Sequence, residues 1–477
     1  MEGNVSQLAD REIVGLTADS RLVEPGYLFA ALPSSDSNSA LNGADFVAEA
    51  VRRGAAAVLG PPGLPAALKA PIDVAVIEDP EPRRRLSLLA ARFFGAQPRV
   101  VAAVTGTSGK SSIVDFVRQI WTALGRNGAS LGTLGVNSAP VRRELAHTTP
   151  DPVVLHQALA DLAAAGVDHL ALEASSHGLE QQRLDGVAVR AAAFTNLSRD
   201  HLDYHADEEA YFLAKLRLFE VVMAPGGTAV LPSASDLTDR LSAVCRARGH
   251  DVLTFGAGGD VDLLRRDVRP DGQQLKISAM GRQAEIELPL IGAFQAENVL
   301  CAIALVIACG ETATAVLGAA GHLTGVPGRM QSTGGGVYVD YAHKPEALRA
   351  AITALRPHAK GQLFVVFGCG GDRDRGKRVQ MGQIAAALAD QVVVTDDNPR
   401  GEDPNQIRAE IMAGCPAAVE IGDRRAAIAT AIGWLGADDV LLIAGKGHET
   451  GQRVGDVTHP FDDMDVARVI LRGEEGP

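Results

Sequence analysis

Cysteine is scarce in this chain and follows no pattern. The 477 residues hold five (Cys245, Cys301, Cys309, Cys369 and Cys415), an odd number with no CxxC pair. That excludes a disulfide framework and the usual zinc spacings, and leaves buried free thiols as the expectation. Aromatic residues make up only 4%, so platforms for stacking nucleobases are few. Basic residues are outnumbered, 45 against 58 acidic, for a formal net charge of −13. A broad nucleic-acid surface is therefore not expected, although local arginines leave room for a small anionic substrate. No apolar run is long enough to cross a bilayer, so no membrane partner is expected. The first six residues lack the basic and apolar regions of a secretory signal, which makes a cytoplasmic location the expectation. A monomer is expected.

What is present is ordinary in bulk, with 46% hydrophobic and 22% charged residues. The length exceeds what one core sustains and predicts two to four domains. Glycine and proline punctuate apolar strand-like runs that alternate with alanine-rich helical patterns, the signature of α/β domains with mostly parallel sheets. The pattern divides the chain into 1–95, 96–325 and 326–477. Strands are expected at 55–59 and 74–77 in the first segment, and at 100–104, 169–173 and 191–195 in the second. Alternation at 275–278 predicts an antiparallel excursion. In the third segment, runs at 336–340, 363–368, 391–395 and 440–444 each end in a polar or glycine-rich loop. Such strand-end loops form sites in open α/β sheets, so this segment is read as a second binding domain.

The most specific motif is Thr105-Gly106-Thr107-Ser108-Gly109-Lys110-Ser111-Ser112, lying between a predicted strand and a predicted helix. A glycine-rich turn there presents backbone N–H groups and the positive helix end to phosphate. Lys110 reaches the outer phosphates in such loops, and Ser111 is placed to ligate Mg²⁺. The usual GxxxxGK[ST] pattern is incomplete, because Val104 stands where the first glycine belongs.

Further constellations follow strand ends. Glu173, before Ala174-Ser175-Ser176-His177, serves equally as a Mg²⁺ ligand or as part of a helix cap. The stretch 196–205 (NLSRDHLDYH) is dense in ligand-capable side chains. Lys215 falls in an amphipathic helical pattern, where lysine is ordinarily solvated or snorkelling. Residues 368–378 (GCGGDRDRGKR) read as a flexible basic loop. Asp396-Asp397-Asn398-Pro399-Arg400 and Gly445-Lys446-Gly447-His448-Glu449 follow the next strands. Two arginines and a glutamate on neighbouring strand-end loops suit a zwitterion: an arginine fork clamps its carboxylate and the acid takes its ammonium.

With these residues in view the chain resembles the Mur ligases, ATP-dependent amide-forming enzymes of cell-wall precursor synthesis. Their phosphate loop reads GTxGK[ST], which accounts for Val104. The resemblance covers nearly the whole chain and implies three α/β domains. These are an N-terminal UDP-binding domain, a central P-loop ATPase-like domain and a C-terminal Rossmann-like amino-acid-binding domain. It implies ATP and Mg²⁺ as cofactors, and UDP-N-acetylmuramoyl-L-alanyl-D-glutamate as one substrate. By the resemblance, Gly106, Thr107, Ser108, Gly109, Lys110, Ser111 and Ser112 cradle ATP, with Asn298, Arg329, Asp340 and His343 near the nucleotide. Ser20, His147, Thr148, Thr149, Ser175, Gln181 and Arg183 match the UDP-muramoyl site. Glu173 and His201 match magnesium positions, and Lys215 matches the lysine that the family carbamylates to bind a second Mg²⁺. Arg373, Asp397, Asn398, Pro399, Arg400, Gly445 and Glu449 match the amino-acid site. The DNPR form is the one the family associates with meso-2,6-diaminopimelate, whose extra carboxylate Arg400 would pair.

The implied reaction transfers the γ-phosphoryl of ATP to the D-glutamate γ-carboxylate. The amine of diaminopimelate then displaces phosphate from the acyl phosphate. L-Lysine as the added amino acid is the nearest alternative, and a non-catalytic nucleotide or muropeptide sensor is the alternative from another class. A folate-polyglutamate ligase shares the general fold but explains neither Thr148-Thr149-Pro150 nor the DNPR loop. The chain departs from the family's pattern in three places. The loop 33–39 lacks the usual Gly-His and Asp-Gly pattern, Gln295 replaces an asparagine, and Lys344 replaces a threonine after Asp340-Tyr341-Ala342-His343.

Overall fold

Val100–Thr105 is apolar at nearly every position and buried at all six, as a strand covered on both faces must be. It forms the middle of an eleven-stranded sheet in the computed structural model, which describes residues 12–34, 42–68, 72–202 and 204–474. Most of the atypical loop 33–39 lies outside the described residues. The parallel centre of this sheet runs Gly128–Gly132, His169–Glu173, Val100–Thr105, Val189–Phe194, Met223–Pro232 and Asp251–Phe255. The chain passes from Val100–Thr105 to one side and later returns to the other, so the loops after the strands flanking it open at a switch point. The expected excursion is an antiparallel meander of Val261–Arg269, Gly272–Ala279 and Arg282–Leu288 on one edge.

One face of this sheet is covered by helices Lys110–Ala123 and Ala293–Ala308, with Trp121 fully buried. The second helix carries apolar side chains around most of its circumference, as a helix between a sheet and its neighbours requires. Helix Pro152–Ala164 covers the other face.

A smaller all-parallel sheet precedes it, ordered Gly15–Thr17, Tyr27–Ala30, Ala57–Gly60, Ala75–Glu78. Helix Pro82–Phe94 packs on that sheet through Leu86 and Ala90, and meets the middle of the chain through Ser87 and Arg84. The third sheet is ordered Gln331–Gly334, Val337–Asp340, Val440–Ala444, Leu363–Phe367, Gln391–Val394, Val419–Glu420. All of its neighbours are parallel except the first pair. Apolar clusters line both of its faces. All five cysteines are buried and free, as composition predicted.

Candidate active site

Residues 105–110 turn directly from strand Val100–Thr105 into helix Lys110–Ala123. Helix Lys110–Ala123 starts directly after Gly109, which adopts φ 89°, while Gly106 adopts φ 138°. A Cβ at Gly106 would fall 1.9 Å from Thr195 Oγ1, and one at Gly109 would fall 2.5 Å from Asn298 Oδ1. Both glycines are therefore required by backbone angle and by close approach. Lys110 Nζ donates to the Gly106 and Thr107 carbonyls at 2.9 and 3.0 Å. Burial above all, with Lys344 and Arg329 adding to it, pushes the Lys110 ammonium down to about 8.

Lys215 corrects the expectation drawn from its helical pattern. It lies in Glu208–Arg217 but is 1% exposed rather than snorkelling. Its Nζ donates to the same Gly106 carbonyl at 2.9 Å and stands 4.2 Å over the Tyr211 ring. Burial, then Lys110 and Lys344, hold its amine well below the usual lysine range. A buried amine driven toward its neutral form is nucleophilic.

Glu173, 2% exposed, ends its strand and accepts from Thr133 N at 2.8 Å and Thr133 Oγ1 at 3.2 Å. It caps no helix; that role belongs to Ser175, whose Oγ accepts from Gly178 N at 3.1 Å. Thr149 ties the neighbourhood together, donating to the Glu173 carbonyl at 2.8 Å while accepting from Ser175 N and Oγ at 3.0 Å. Arg183 donates to the Thr149 carbonyl at 2.7 Å and to Gln181 Oε1, and Gln181 donates to the Tyr204 hydroxyl at 3.1 Å. Thr148 touches Thr133 Oγ1 at 3.0 Å. Thr148, Thr149, Ser175, Gln181 and Arg183 thus form one connected patch beside Glu173. His147 is exposed. Ser20 sits in the N-terminal sheet's domain, donating to Glu49 Oε2 at 3.0 Å.

A cleft of about 480 Å³ joins these elements. It is lined by 107–112, Glu173, Ser175, His201 and Asn298 on one side, and by Arg329, Asp340, His343 and Lys344 on the other. Arg329 crosses it, donating to Ser111 Oγ at 3.0 Å with its guanidinium 4.4 Å over Tyr341. Burial, opposed by Arg329, raises the Asp340 carboxyl to about 6, and its Oδ2 accepts from Met330 N. His201 adopts φ 53° and lies 3.1 Å from Asp200.

Among the described residues no group of three or more His, Cys, Asp or Glu side chains is arranged to hold a metal. Mg²⁺ takes one or two carboxylates and completes its shell with phosphate and water. Glu173 fits the role, since a Cβ on Gly132 would fall 2.2 Å from Oε1 and fill the space around it.

The second candidate cluster lies at the carboxyl ends of the third sheet. Asn398 Nδ2 donates to Glu449 Oε2 at 2.8 Å, and the fully buried Lys446 bridges Asn398 Oδ1 and Glu449 Oε2 at 3.1 Å each. Arg400 adopts φ 52°, donates to the Gly371 carbonyl at 2.9 Å, and has no carboxylate partner among the described residues. Asp397 accepts from Asn398 N, with its second oxygen buried beside Gly445. Pro399 is buried, and Arg373 is exposed. The segment 368–378 is not uniformly a loop. Helix Lys377–Leu388 begins within it, and Arg378 is fully buried between Glu402 and Glu410 at 2.9 and 2.8 Å.

Residues 104–306 match the Mur ligase middle domain, and residues 328–447 match the Mur ligase glutamate ligase domain. A relative from Mesorhizobium japonicum, named UDP-N-acetylmuramoyl-L-alanyl-D-glutamate–2,6-diaminopimelate ligase, is 49% identical over 99% of this chain and 97% of its own. The chain belongs to the Mur ligase family. A relative of the same name from Caulobacter vibrioides is 49% identical over 97% of this chain and 96% of its own. A solved structure of a ligase of that name is 34% identical, with a TM-score of 0.67 over 96% of this chain and 94% of that one. A MurF ligase from Thermotoga maritima in complex with ADP shares the fold, at 20% identity and TM-score 0.66 over 98% of each chain.

For this Mur ligase the α/β architecture expected from sequence holds. Sequence reasoning passed over Asp200, Tyr211 and Lys446 as site groups. Lys446 carried a signal in its place between Gly445 and Glu449. Asp200 carried one in preceding His201. Tyr211 carried none.

Proposed function

We propose that this chain is an ATP-dependent ligase that joins meso-2,6-diaminopimelate to the D-glutamate γ-carboxylate of UDP-N-acetylmuramoyl-L-alanyl-D-glutamate. Relatives 49% identical over nearly the whole chain carry this activity in their names. The observation that carries the choice of amino acid is Arg400, a cation without a carboxylate partner among the described residues. It shares its loop with Asn398, which is fixed on Glu449. In this reading Arg400 clamps the carboxylate that lysine lacks, and Glu449 and Asn398 orient the nucleophilic end.

Loop 106–112 receives the triphosphate. Lys110, now held by two carbonyls of its own loop, turns to the outer phosphates, where its charge is matched. Arg329 approaches from the opposite wall. Glu173, Ser111 and His201 would hold Mg²⁺, which offsets phosphate charge and orients the reacting oxygens. Burial, which holds the Lys215 amine below the usual lysine range, favours reaction with CO₂, and its carbamate would turn a buried amine into an anion. Thr148, Thr149, Ser175, Gln181 and Arg183 hold the muramoyl end of the carboxylate substrate, with Ser20 toward the uridine. Phosphorylation supplies the carboxylate with a leaving group. The free amine then forms the C–N bond as the C–O bond to phosphate breaks, and the proton it gives up leaves with the released phosphate.

ADP release with all three substrates present tests this reading. Diaminopimelate is expected to support turnover, and L-lysine to do so far more weakly. Arg400→Ala raises the KM for diaminopimelate about 100-fold, as expected for truncating one member of a desolvated charge pair. Equal rates with lysine would remove the argument from Arg400. No ADP release with any amino acid would favour the sensor.

A further inference from the structure

The residue after Asp340-Tyr341-Ala342-His343 is Lys344. Lys344 is the N-cap of helix Pro345–Leu355 and makes no side-chain cap hydrogen bond there. A threonine cap stabilises a helix by about 1 kcal/mol, so this chain forgoes a local gain. Lys344 Nζ instead lies 2.5 Å from Asp200 Oδ2, with both side chains 14% exposed. The pair spans two sheets: Lys344 follows Val337–Asp340, and Asp200 follows Val189–Phe194. A desolvated pair of this kind adds little to stability, because the cost of dehydration offsets the attraction. Its position points to another use.

Lys344 lines the 480 Å³ cleft together with Lys110, Ser111, Glu173 and His201, whereas Asp200 does not line it. The buried Asp200 Oδ2 holds Lys344 from outside the cleft lining. Lys344 is also close enough to press on Lys110, Lys215 and His343, adding to burial in lowering all three. The cleft walls carry three cationic side chains, Lys110, Arg329 and Lys344, beside the carboxyl groups of Glu173, Glu297, Asp340 and Glu346. Lys110 and Lys344 stand on opposite walls.

We propose that Lys344 is a further catalytic residue, carried by the C-terminal domain and positioned by Asp200, that donates to the oxygens of the phosphoryl group in transfer. This role rests on the ligase reading. In the transfer the carboxylate oxygen forms a bond to the γ-phosphorus as the bond to the β–γ bridging oxygen breaks. The electron pair leaves on ADP, and no proton is needed. Charge is spread over the three equatorial phosphoryl oxygens and grows on the departing bridging oxygen, with Lys110 on one wall and Lys344 on the other. Such donors act on charge that grows in the transition state, so their loss lowers kcat.

The test measures ADP release by wild type, Lys344→Thr, Lys344→Met and Lys344→Arg with all three substrates. Threonine supplies a helix cap, so Lys344→Thr keeps or raises Tm and separates folding from catalysis. Lys344→Thr and Lys344→Met are expected to lose about 100-fold in kcat, the scale of one transition-state donor, with each KM little changed. Lys344→Arg retains part of the rate. Asp200→Asn lowers kcat less than Lys344→Met does, and costs less in the Lys344→Met background than in wild type, the remainder passing through His201 at 3.1 Å; equal costs in both backgrounds would remove Asp200 as the positioning group. Wild-type kcat in Lys344→Thr overturns the proposal. So does a raised KM for the UDP-linked substrate at unchanged kcat, which would make Lys344 a ground-state carboxylate contact. Recovery of Lys344→Met by added bicarbonate would also overturn it, since Lys344 would then act through Lys215. A wild type that releases no ADP overturns the ligase reading as well, whereas an active wild type beside an equally active Lys344→Met overturns this role alone.

Discussion

At the scale of single residues, the site is dominated by amines kept from water. Lys110 is lowered to about 8 by burial and by its cationic neighbours, and ATP phosphates would supply the opposite charge. Nucleotide binding must then raise its affinity for protons. At pH 8.5 calorimetric titration of ATP, repeated in buffers of different ionisation enthalpy, is expected to show net proton uptake that shrinks toward pH 6.5. Lys110→Met abolishes the Lys110 share, and an uptake unchanged in that variant would refute the assignment. Lys215 marks the limit of sequence at this scale. Its spacing in Glu208–Arg217 matches any amphipathic helix, and its burial comes from Tyr211 and the Gly106 carbonyl, the latter more than a hundred positions away in sequence. Nothing local distinguishes it from a snorkelling lysine; only its place in the family's pattern did.

At the scale of elements, the parallel strands were legible because their burial is two-sided. His169–Glu173 and Val440–Ala444 are apolar runs of strand length ended by site residues, and they fold where expected. The loops they carry were less legible, because their shape depends on charges placed elsewhere. Arg424 and Asp463 show this. Both are fully buried and joined by two contacts of 2.7 Å, and Arg424 also donates to the Ala444 carbonyl at 3.0 Å and the Asp396 carbonyl at 3.3 Å. One guanidinium thus anchors the strand ends from which Asp397–Arg400 and Gly445–Glu449 depart. Arg424→Ala leaves a buried carboxylate unpaired and is expected to cost about 3–5 kcal/mol in denaturant unfolding. The double change Arg424→Met with Asp463→Leu should cost much less while still raising the KM for the amino acid. Equal losses in the two variants would mean that the pair's charge is not what matters.

At the scale of the whole molecule, the cleft is closed by few contacts of long sequence range. Lys344–Asp200 and Arg199–Asp374, the latter at 3.9 Å, join the central sheet's loops to the third domain. No periodicity could have paired them, since each partner sits in a different domain and reads locally as a surface charge. Screening shortens the reach of such pairs from about 30 Å at 0.01 M salt to about 3 Å at 1 M. Small-angle scattering of the nucleotide-free protein is therefore expected to show a larger radius of gyration at high salt through loss of the exposed Arg199–Asp374 pair, and Arg199→Ala should show it already at low salt. A radius indifferent to both would assign closure to the apolar contacts instead. The third sheet holds one more consequence. Val337–Asp340 and Val440–Ala444 are adjacent strands, with Asp340 opposite Ala444. The loop proposed to face the nucleotide and the loop proposed to face the amino acid thus spring from neighbouring strands of one sheet. An attempt to retool this enzyme for a different amine by rebuilding residues 445–449 will strain the rung that carries Asp340 and Lys344. Selection for a new building block would then have to restore phosphate handling in the same round, which makes the two traits inherit as one.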